Sequence, residues 1–384
     1  MNNTLRHIVF VIFSAVIGKL IGMMTSFLVA RFLQPSDYGV WVTLLLIPTY
    51  ASIFCFGSVE TLVKLYPNYV GRGENDLAIE VENSVLSSVI LSAVGLIVFG
   101  ICFEMISGHS RWFSLNVPVS PVVVASAIGL ITAFYSNRFV ARQNFKIVSI
   151  LDILRTLCSF SILVTFAWFW GLKGVVAGYV VSELMICAFT SKLSWRFYGK
   201  GGLNFDPKKM WMTVRVGFPI SIFWWIFIIQ TSLDRVLSMA LLGKTATGYY
   251  GLSISIISAI VLIPQAISRV LYPKVNEMIG KNAGTDAIFD TVVFPARILS
   301  LLLPLMIGIV VLASPFVYHR LLPKYAPGLA SAQILFIGSF FRFCIGNGAN
   351  FLIASDKQKS LLGYVSASII VGLITSLLLV RWHF

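Results

Sequence analysis

The sequence predicts an all-α polytopic membrane protein: two pseudo-symmetric helix bundles around a central cavity. Three observations predict it. Of the 384 residues, 58% are hydrophobic and 11% charged, with a mean hydropathy of +0.88. The apolar residues fall in runs of about twenty, the length that crosses a bilayer core of about 30 Å. Short markers in the first half recur in the same order in the second. A soluble domain carries about a quarter charged residues, so a soluble enzyme with a large core is excluded. The spans must be helices, because an open strand would leave backbone groups unpaired in lipid.

Eleven spans are expected, at about 8–30, 40–63, 82–103, 118–138, 149–169, 174–194, 217–242, 247–271, 290–312, 328–352 and 361–381. The first is too long for a signal peptide. Lys19 interrupts it and no cleavage site follows, so it is read as a retained span. The longest polar connection, "RFYGKGGLNFDPKKMWMTVR", splits the chain near its middle. This gives an N-terminal bundle at 1–195 (spans 1 to 6), a cytoplasmic linker at 196–216, and a C-terminal bundle at 217–384 (spans 7 to 11).

The net charge of +14 follows the membrane rule rather than a nucleic-acid partner. Twenty Lys and Arg lie on the side of the N-terminus and of the loops after spans 2, 4, 6, 8 and 10, including the helix ends there. Eight lie on the other side, with mid-span Lys19 set aside. The bias predicts a cytoplasmic N-terminus and, with eleven spans, an external C-terminus.

The repeat is carried by three markers. "LQPSDYGVW" (33–41) after span 1 matches "LGKTATGYY" (242–250) after span 7. "LYP" ends span 2 at Leu65-Tyr66-Pro67 and span 8 at Leu271-Tyr272-Pro273. "RQNFK" (142–146) opens span 5 as "SDKQK" (355–359) opens span 11. Six spans separate the copies, an even number, so the repeat is parallel. Such repeats hold their substrate between the halves. The counterpart of span 6 would begin where the sequence ends, so a 6 + 5 arrangement is expected, with a twelfth helix absent.

The five cysteines lie in or near apolar runs, with no CxxC among them, so neither a disulfide framework nor a metal site is expected. There is no Walker loop and no HExxH, and no cofactor is expected.

The chemistry is therefore sought in charges inside spans. A charge at mid-bilayer costs about 2.5–3.5 kcal/mol, so it needs a partner or water. Lys19 is at the midpoint of span 1, on a face reading Ala15, Lys19, Gly22, Ser26. Arg342 is close to the midpoint of span 10, on a face reading Ser339, Arg342, Gly346, Asn350. Small and polar faces suit a wet cavity or a close helix contact. One cation belongs to each half, which suits an anion gripped from two sides; the bland alternative for each is a structural ion pair or hydrogen bond to a neighbouring helix. Span 7 carries Asp234 and Arg235 with Thr231 and Ser238. Asp234 either orients a cavity arginine, takes part in ion coupling, or staples span 7 to a neighbour. Span 5 sets Asp152, Arg155, Thr156 and Ser159 on one face, read as a salt-bridged helix entrance. Glu60 and Glu183 are weaker coupling candidates, placed near span ends. Trp41, Tyr66, Trp195, Tyr249 and Trp382 fit an interfacial aromatic belt.

Four pieces, "ARFLQPSDYGVW" (30–41), "GLKGVVAGYVVS" (171–182), "DRVLSMALLGKTATGYY" (234–250) and "LPKYAPGLASAQIL" (322–335), give the chain a family likeness. It resembles the oligosaccharide flippases of the multidrug/oligosaccharidyl-lipid/polysaccharide exporter superfamily, above all bacterial O-antigen-unit flippases. Asp234 and Arg235 match that family's Asp-Arg pair. The resemblance implies two lobes around a central cavity. It also implies a substrate, undecaprenyl-pyrophosphate-linked oligosaccharide, carried across the bacterial cell inner membrane for lipopolysaccharide and other surface polysaccharide. Implied partners are bilayer lipid, a proton or sodium coupling ion, and other polysaccharide-assembly membrane proteins. The substrate-binding candidates are then Lys19, Arg342 and Arg235, with Asp234 as the ion-coupling or arginine-orienting residue.

Three other functions compete. A cation-coupled multidrug exporter of the same superfamily would want acids at mid-span, where this chain has bases. A glycosyltransferase or glycan polymerase would want a large outer loop with carboxylates, and the outer connection 104–117 holds one acid, Glu104. An inactive remnant lacking its last helix is the third.

Overall fold

The computed structural model describes residues 3–107, 117–260, 285–340 and 358–383. Among them every regular element is helical. The order is α1 (Asn3–Phe32), α2 (Pro35–Leu44), α3 (Leu46–Ala51), a 3-10 turn (Ser52–Cys55), α4 (Ser58–Gly71), α5 (Asn75–Ser107), α6 (Ser120–Ala141), α7 (Phe145–Tyr198) and α8 (Pro207–Leu237). A π turn (Ser238–Leu242) leads to α9 (Gly243–Ile260) and α10 (Thr285–Phe316). After a second π turn (Val317–Leu321) and a 3-10 turn (Pro323–Gly328) come α11 (329–340) and α12 (Gln358–His383).

Among the described residues, eight helical stretches are long and apolar enough to cross a membrane. Their outward faces are apolar: Leu312 is 82% exposed, Leu301 78% and Trp168 66%. Water would not tolerate so many such faces on one chain, whereas hydrocarbon accepts them. The chain is an all-α polytopic membrane protein.

The contacts form two compact units, Met1–Ile21 with Val40–Ser232, and Gly22–Gly39 with Leu233–Phe384. The core of the first is an apolar cluster from α3 to α6, including Leu62, Val85, Val89 and Phe134. Two interruptions shape it. The run expected as span 2 is broken: Phe56 and Gly57 take left-handed φ of 45° and 86°, and α4 starts afresh at Ser58. α4 then runs on to Gly71, so the "LYP" proline lies inside a helix instead of ending one. α7 holds two expected spans, divided at Gly171 (φ 57°, ψ −137°), a backbone conformation open to glycine. We call its parts the first leg, before Gly171, and the second leg, after it.

In the second unit, three of the quoted strings converge. Tyr38 from "LQPSDYGVW" packs edge-on against Tyr325 from "LPKYAPG" at 6.0 Å, and Tyr249 from "LGKTATGYY" meets Tyr325 at 6.1 Å. Tyr38 and Tyr325 are almost wholly buried. The hydroxyls of Ser255 and Ser253 stand 3.4 Å from that of Tyr38 and 3.1 Å from that of Tyr318. Tyr38 and Tyr318 thus pair their hydroxyls, as buried tyrosines usually do, while the buried Tyr325 hydroxyl has no hydrogen-bond partner among the described residues.

Candidate functional site: charged side chains within the spans

In the first unit the charges gather where α1 meets α7. A Cβ on Gly18 would stand 3.4 Å from Thr156 Oγ1, so α1 lies against the first leg of α7 one residue before Lys19. Lys19 is exposed and has no hydrogen-bond or ion-pair partner among the described residues. An ammonium exposed to hydrocarbon at this depth would cost about 2.5–3.5 kcal/mol, so the exposed side is better met by water.

Arg155, one residue before Thr156, donates from Nη2 to Glu183 Oε1 at 2.7 Å. The face expected as a salt-bridged entrance does carry a salt bridge, but the acid comes from the second leg. Glu183 was placed near a span end by sequence. It lies twelve positions past Gly171 in a leg that runs to Tyr198, close to its middle. The expected span 174–194 is itself centred beside Glu183, so its bounds already set the residue at mid-span. Its carboxylate is 5% exposed, whereas the Arg155 side chain is 43% exposed. One turn before Glu183, Tyr179 meets Trp41 edge-on at 5.8 Å. Trp41 is 5% exposed, so it is a packing residue and not part of a lipid-facing belt. Glu60 does sit at a helix end, but that end is the internal break before α4.

A second network, missed in the sequence, joins α5 to α6. Glu82 takes Arg138 Nη2 on Oε1 and Arg142 Nη2 on Oε2, each at 2.5 Å. Arg138 also donates from Nη1 to Ser194 Oγ at 2.9 Å and to the Gly199 carbonyl at 3.2 Å. The Arg142 guanidinium lies between the rings of Tyr66 and Tyr198, at 4.2 and 4.3 Å. Tyr66 is therefore a stacking partner as well as a span-end aromatic. Glu82 and Arg138 are 2% and 1% exposed. This network is a staple: its charges are consumed internally. Read as loop cations, Arg138 and Arg142 gave no sign of it, since the acid is 56 residues from Arg138.

In the second unit Asp234, on α8, accepts a hydrogen bond from the Tyr250 hydroxyl of α9. Its Oδ1 accepts the Arg235 main-chain N–H at 2.8 Å. Asp234 thus ties α8 to α9 through the motif "ATGYY". It borders a cleft of about 400 Å³ lined also by Ser238, Tyr249, Tyr250, Ser253, Ser331 and Ser376. That size suits a small polar ligand or part of a larger one. A cavity of about 300 Å³ in the first unit, lined by Leu44, Ile47, Phe54, Leu96, Phe99 and Val123 among others, offers little to a charged group. Arg342 lies outside the described residues. Among the described residues no group of His, Cys, Asp and Glu is placed to hold a metal ion.

The family profile described as "polysaccharide biosynthesis protein" matches residues 4–278. This chain belongs to the polysaccharide biosynthesis protein family. No curated protein sequence matches this family member. Its fold is shared with solved transporters. One is a multidrug resistance MATE family transporter of the MOP superfamily in its inward-facing conformation. It is 10% identical, with 94% of this chain and 84% of that one covered and a TM-score of 0.72. Another is a MOP superfamily transporter from Pyrococcus furiosus, described as having a binding pocket of reverse polarity that suggests a different function. It is 12% identical, with 98% and 94% covered and a TM-score of 0.57. The likeness establishes the transporter fold of two repeated helical bundles for this polysaccharide biosynthesis protein.

Proposed function

We propose that this protein is a flippase. It moves undecaprenyl-pyrophosphate-linked oligosaccharide units across the bacterial inner membrane by alternating access, for surface polysaccharide assembly, with its N-terminus in the cytoplasm. The observation that carries this reading is Lys19: a cation inside a span, exposed, with no partner among the described residues, in a member of a polysaccharide biosynthesis family. A large anionic head needs a hydrated route with unconsumed positive charge. The mid-span acids favour this over drug-cation export, since Glu183 is held by Arg155 and Asp234 by Tyr250. In this reading Lys19, Arg342 and Arg235 hold the diphosphate, and Asp234 orients the arginine beside it or carries a coupled proton or sodium ion.

The test is flipping in reconstituted vesicles at matched protein levels. Lys19→Ala and Arg342→Ala should each lower the rate, by about ten- to a hundredfold if a charge-assisted hydrogen bond of about 1.5–3 kcal/mol is lost. Arg342→Lys should restore part of it, because the fork is lost but the charge is kept. The double change should cost less than the sum of the singles if both grip one ligand. Wild-type rates in both alanine variants would remove these two residues from the site.

A further inference from the structure

The Arg155–Glu183 pair is lopsided in a way that a staple does not require. The Glu82 network shows what a staple looks like in this chain: both carboxylate oxygens stand in ion pairs and the main arginine is buried, although Glu82 Oε2, like Glu183 Oε2, accepts no hydrogen bond among the described residues. In the other pair, Glu183 uses one oxygen. Its Oε1 takes Arg155 Nη2, while the buried Oε2 meets no donor among the described residues. Oε2 sits 3.7 Å from where a Cβ on Gly129 would stand, so α6 leaves it room but no hydrogen bond. The guanidinium has five N–H donors in all, and its side chain is 43% exposed. The acid is thus committed to burial, while the base is held at the edge by a single contact.

A second cation and an acid lie beside that edge. Lys19 follows Gly18, whose Cα faces Thr156, the residue after Arg155. The nearest countervailing group on the same leg is Asp152, also exposed, one turn toward the start of α7. An exposed Lys19 and a partly exposed Arg155, on adjoining helices inside membrane-spanning segments, suit a ligand with more than one negative oxygen. A guanidinium grips phosphate oxygens in a planar fork, and an ammonium adds a mobile charge.

We propose that Arg155 and Lys19 form a diphosphate-binding site within the first unit, with Glu183 as the exchangeable counter-ion of Arg155. An arriving diphosphate competes with Glu183 for the guanidinium. When it leaves, Glu183 takes the guanidinium back, so the arginine is never left without a counter-charge in a low-dielectric setting, where an uncompensated charge is expensive. The exchange makes the grip reversible, as a transport cycle requires. This inference rests on the flippase reading and adds to it a residue pair and a release step.

The two partners of one ion pair should then have opposite effects on binding. The experiment measures farnesyl diphosphate binding to the purified full chain in zwitterionic lipid nanodiscs, with farnesol as the control for the hydrocarbon tail. Arg155→Gln should weaken diphosphate binding at least about tenfold, the loss of a charge-assisted contact. Glu183→Gln should tighten it by up to about fivefold, the competition that a partly exposed ion pair exerts. Arg155→Lys should fall between wild type and Arg155→Gln. Melting temperatures are recorded for every variant, and Lys19→Ala, which breaks no ion pair seen here, should weaken binding without lowering the melting temperature. If Glu183→Gln lowers the melting temperature and leaves affinity unchanged or weaker, the pair is a staple and the proposal is overturned. Absence of diphosphate-specific binding in both wild type and Glu183→Gln also overturns it. Flipping by the wild type in vesicles is measured alongside: if it persists while Arg155→Gln changes nothing, this site fails and the flippase reading stands.

Discussion

Gly39 and Gly248, one from each copy of the repeated motif, meet backbone to backbone. A Cβ on Gly39 would stand 1.8 Å from the Lys244 carbonyl oxygen and 2.8 Å from Gly248 N. One on Gly248 would stand 1.9 Å from the Pro35 carbonyl oxygen. The obstacle in each case is main chain, which cannot rotate away as a side chain does.

Gly39→Ala and Gly248→Ala should therefore each destabilise the protein by at least about 1–3 kcal/mol, the usual cost of overpacking. Gly95→Ala, where an added Cβ meets nothing within 4 Å, is the control and should melt like wild type. Thermal unfolding in detergent, followed by loss of the monodisperse peak, measures this. Equal melting of all three variants would mean that the two glycines do not touch.

The Glu82 staple should matter for folding and not for substrate. Glu82→Gln leaves two guanidinium groups without their acid, and Arg138 is 1% exposed. Breaking a buried pair by removing one partner costs about 3–5 kcal/mol. Arg142→Ala should cost less, since its side chain is 15% exposed. The melting temperatures should rank wild type, Arg142→Ala, Glu82→Gln from high to low, with flipping per folded molecule unchanged.

Asp234 offers a test of ion coupling. Because its carboxylate is engaged by the Tyr250 hydroxyl and the Arg235 N–H, it is expected to position α8 and α9 rather than to carry the proton. Asp234→Asn and Tyr250→Phe should lower transport by similar factors, about ten- to a hundredfold for a hydrogen bond to a charged group worth about 1.5–3 kcal/mol. Both should keep the wild-type pH dependence in vesicles with an imposed pH gradient. A flattened pH profile in Asp234→Asn alone would assign it the coupled proton.

Composition and periodicity made the membrane class and the helices legible, and four short strings carried the resemblance to the polysaccharide family. Apolar length and charge bias are properties of single segments, and they are what a bilayer selects. The repeat was legible too, down to the strings that carry Gly39 and Gly248. Cross-helix partners were not. Arg155 was visible as a charge on a helical face, but its acid lies 28 residues away, beyond a glycine break whose consequence for register no pattern revealed. Glu82 was hidden for the same reason, with both of its arginines absorbed into a count of loop cations. The left-handed turn at Phe56–Gly57 interrupts a continuous apolar run, and hydropathy cannot register a backbone dihedral.

The central claim is that a polyprenyl-diphosphate oligosaccharide crosses the membrane through this protein. The direct measurement uses proteoliposomes loaded with undecaprenyl-pyrophosphate-linked oligosaccharide in the inner leaflet, with outward appearance of the sugar read by a membrane-impermeant lectin. Wild-type protein should expose the sugar faster than protein-free vesicles, and Lys19→Ala protein should do so more slowly than wild type. Sugar exposure no faster than in protein-free vesicles, together with export of a cationic dye by the same proteoliposomes, would contradict the account and identify the protein as a drug exporter.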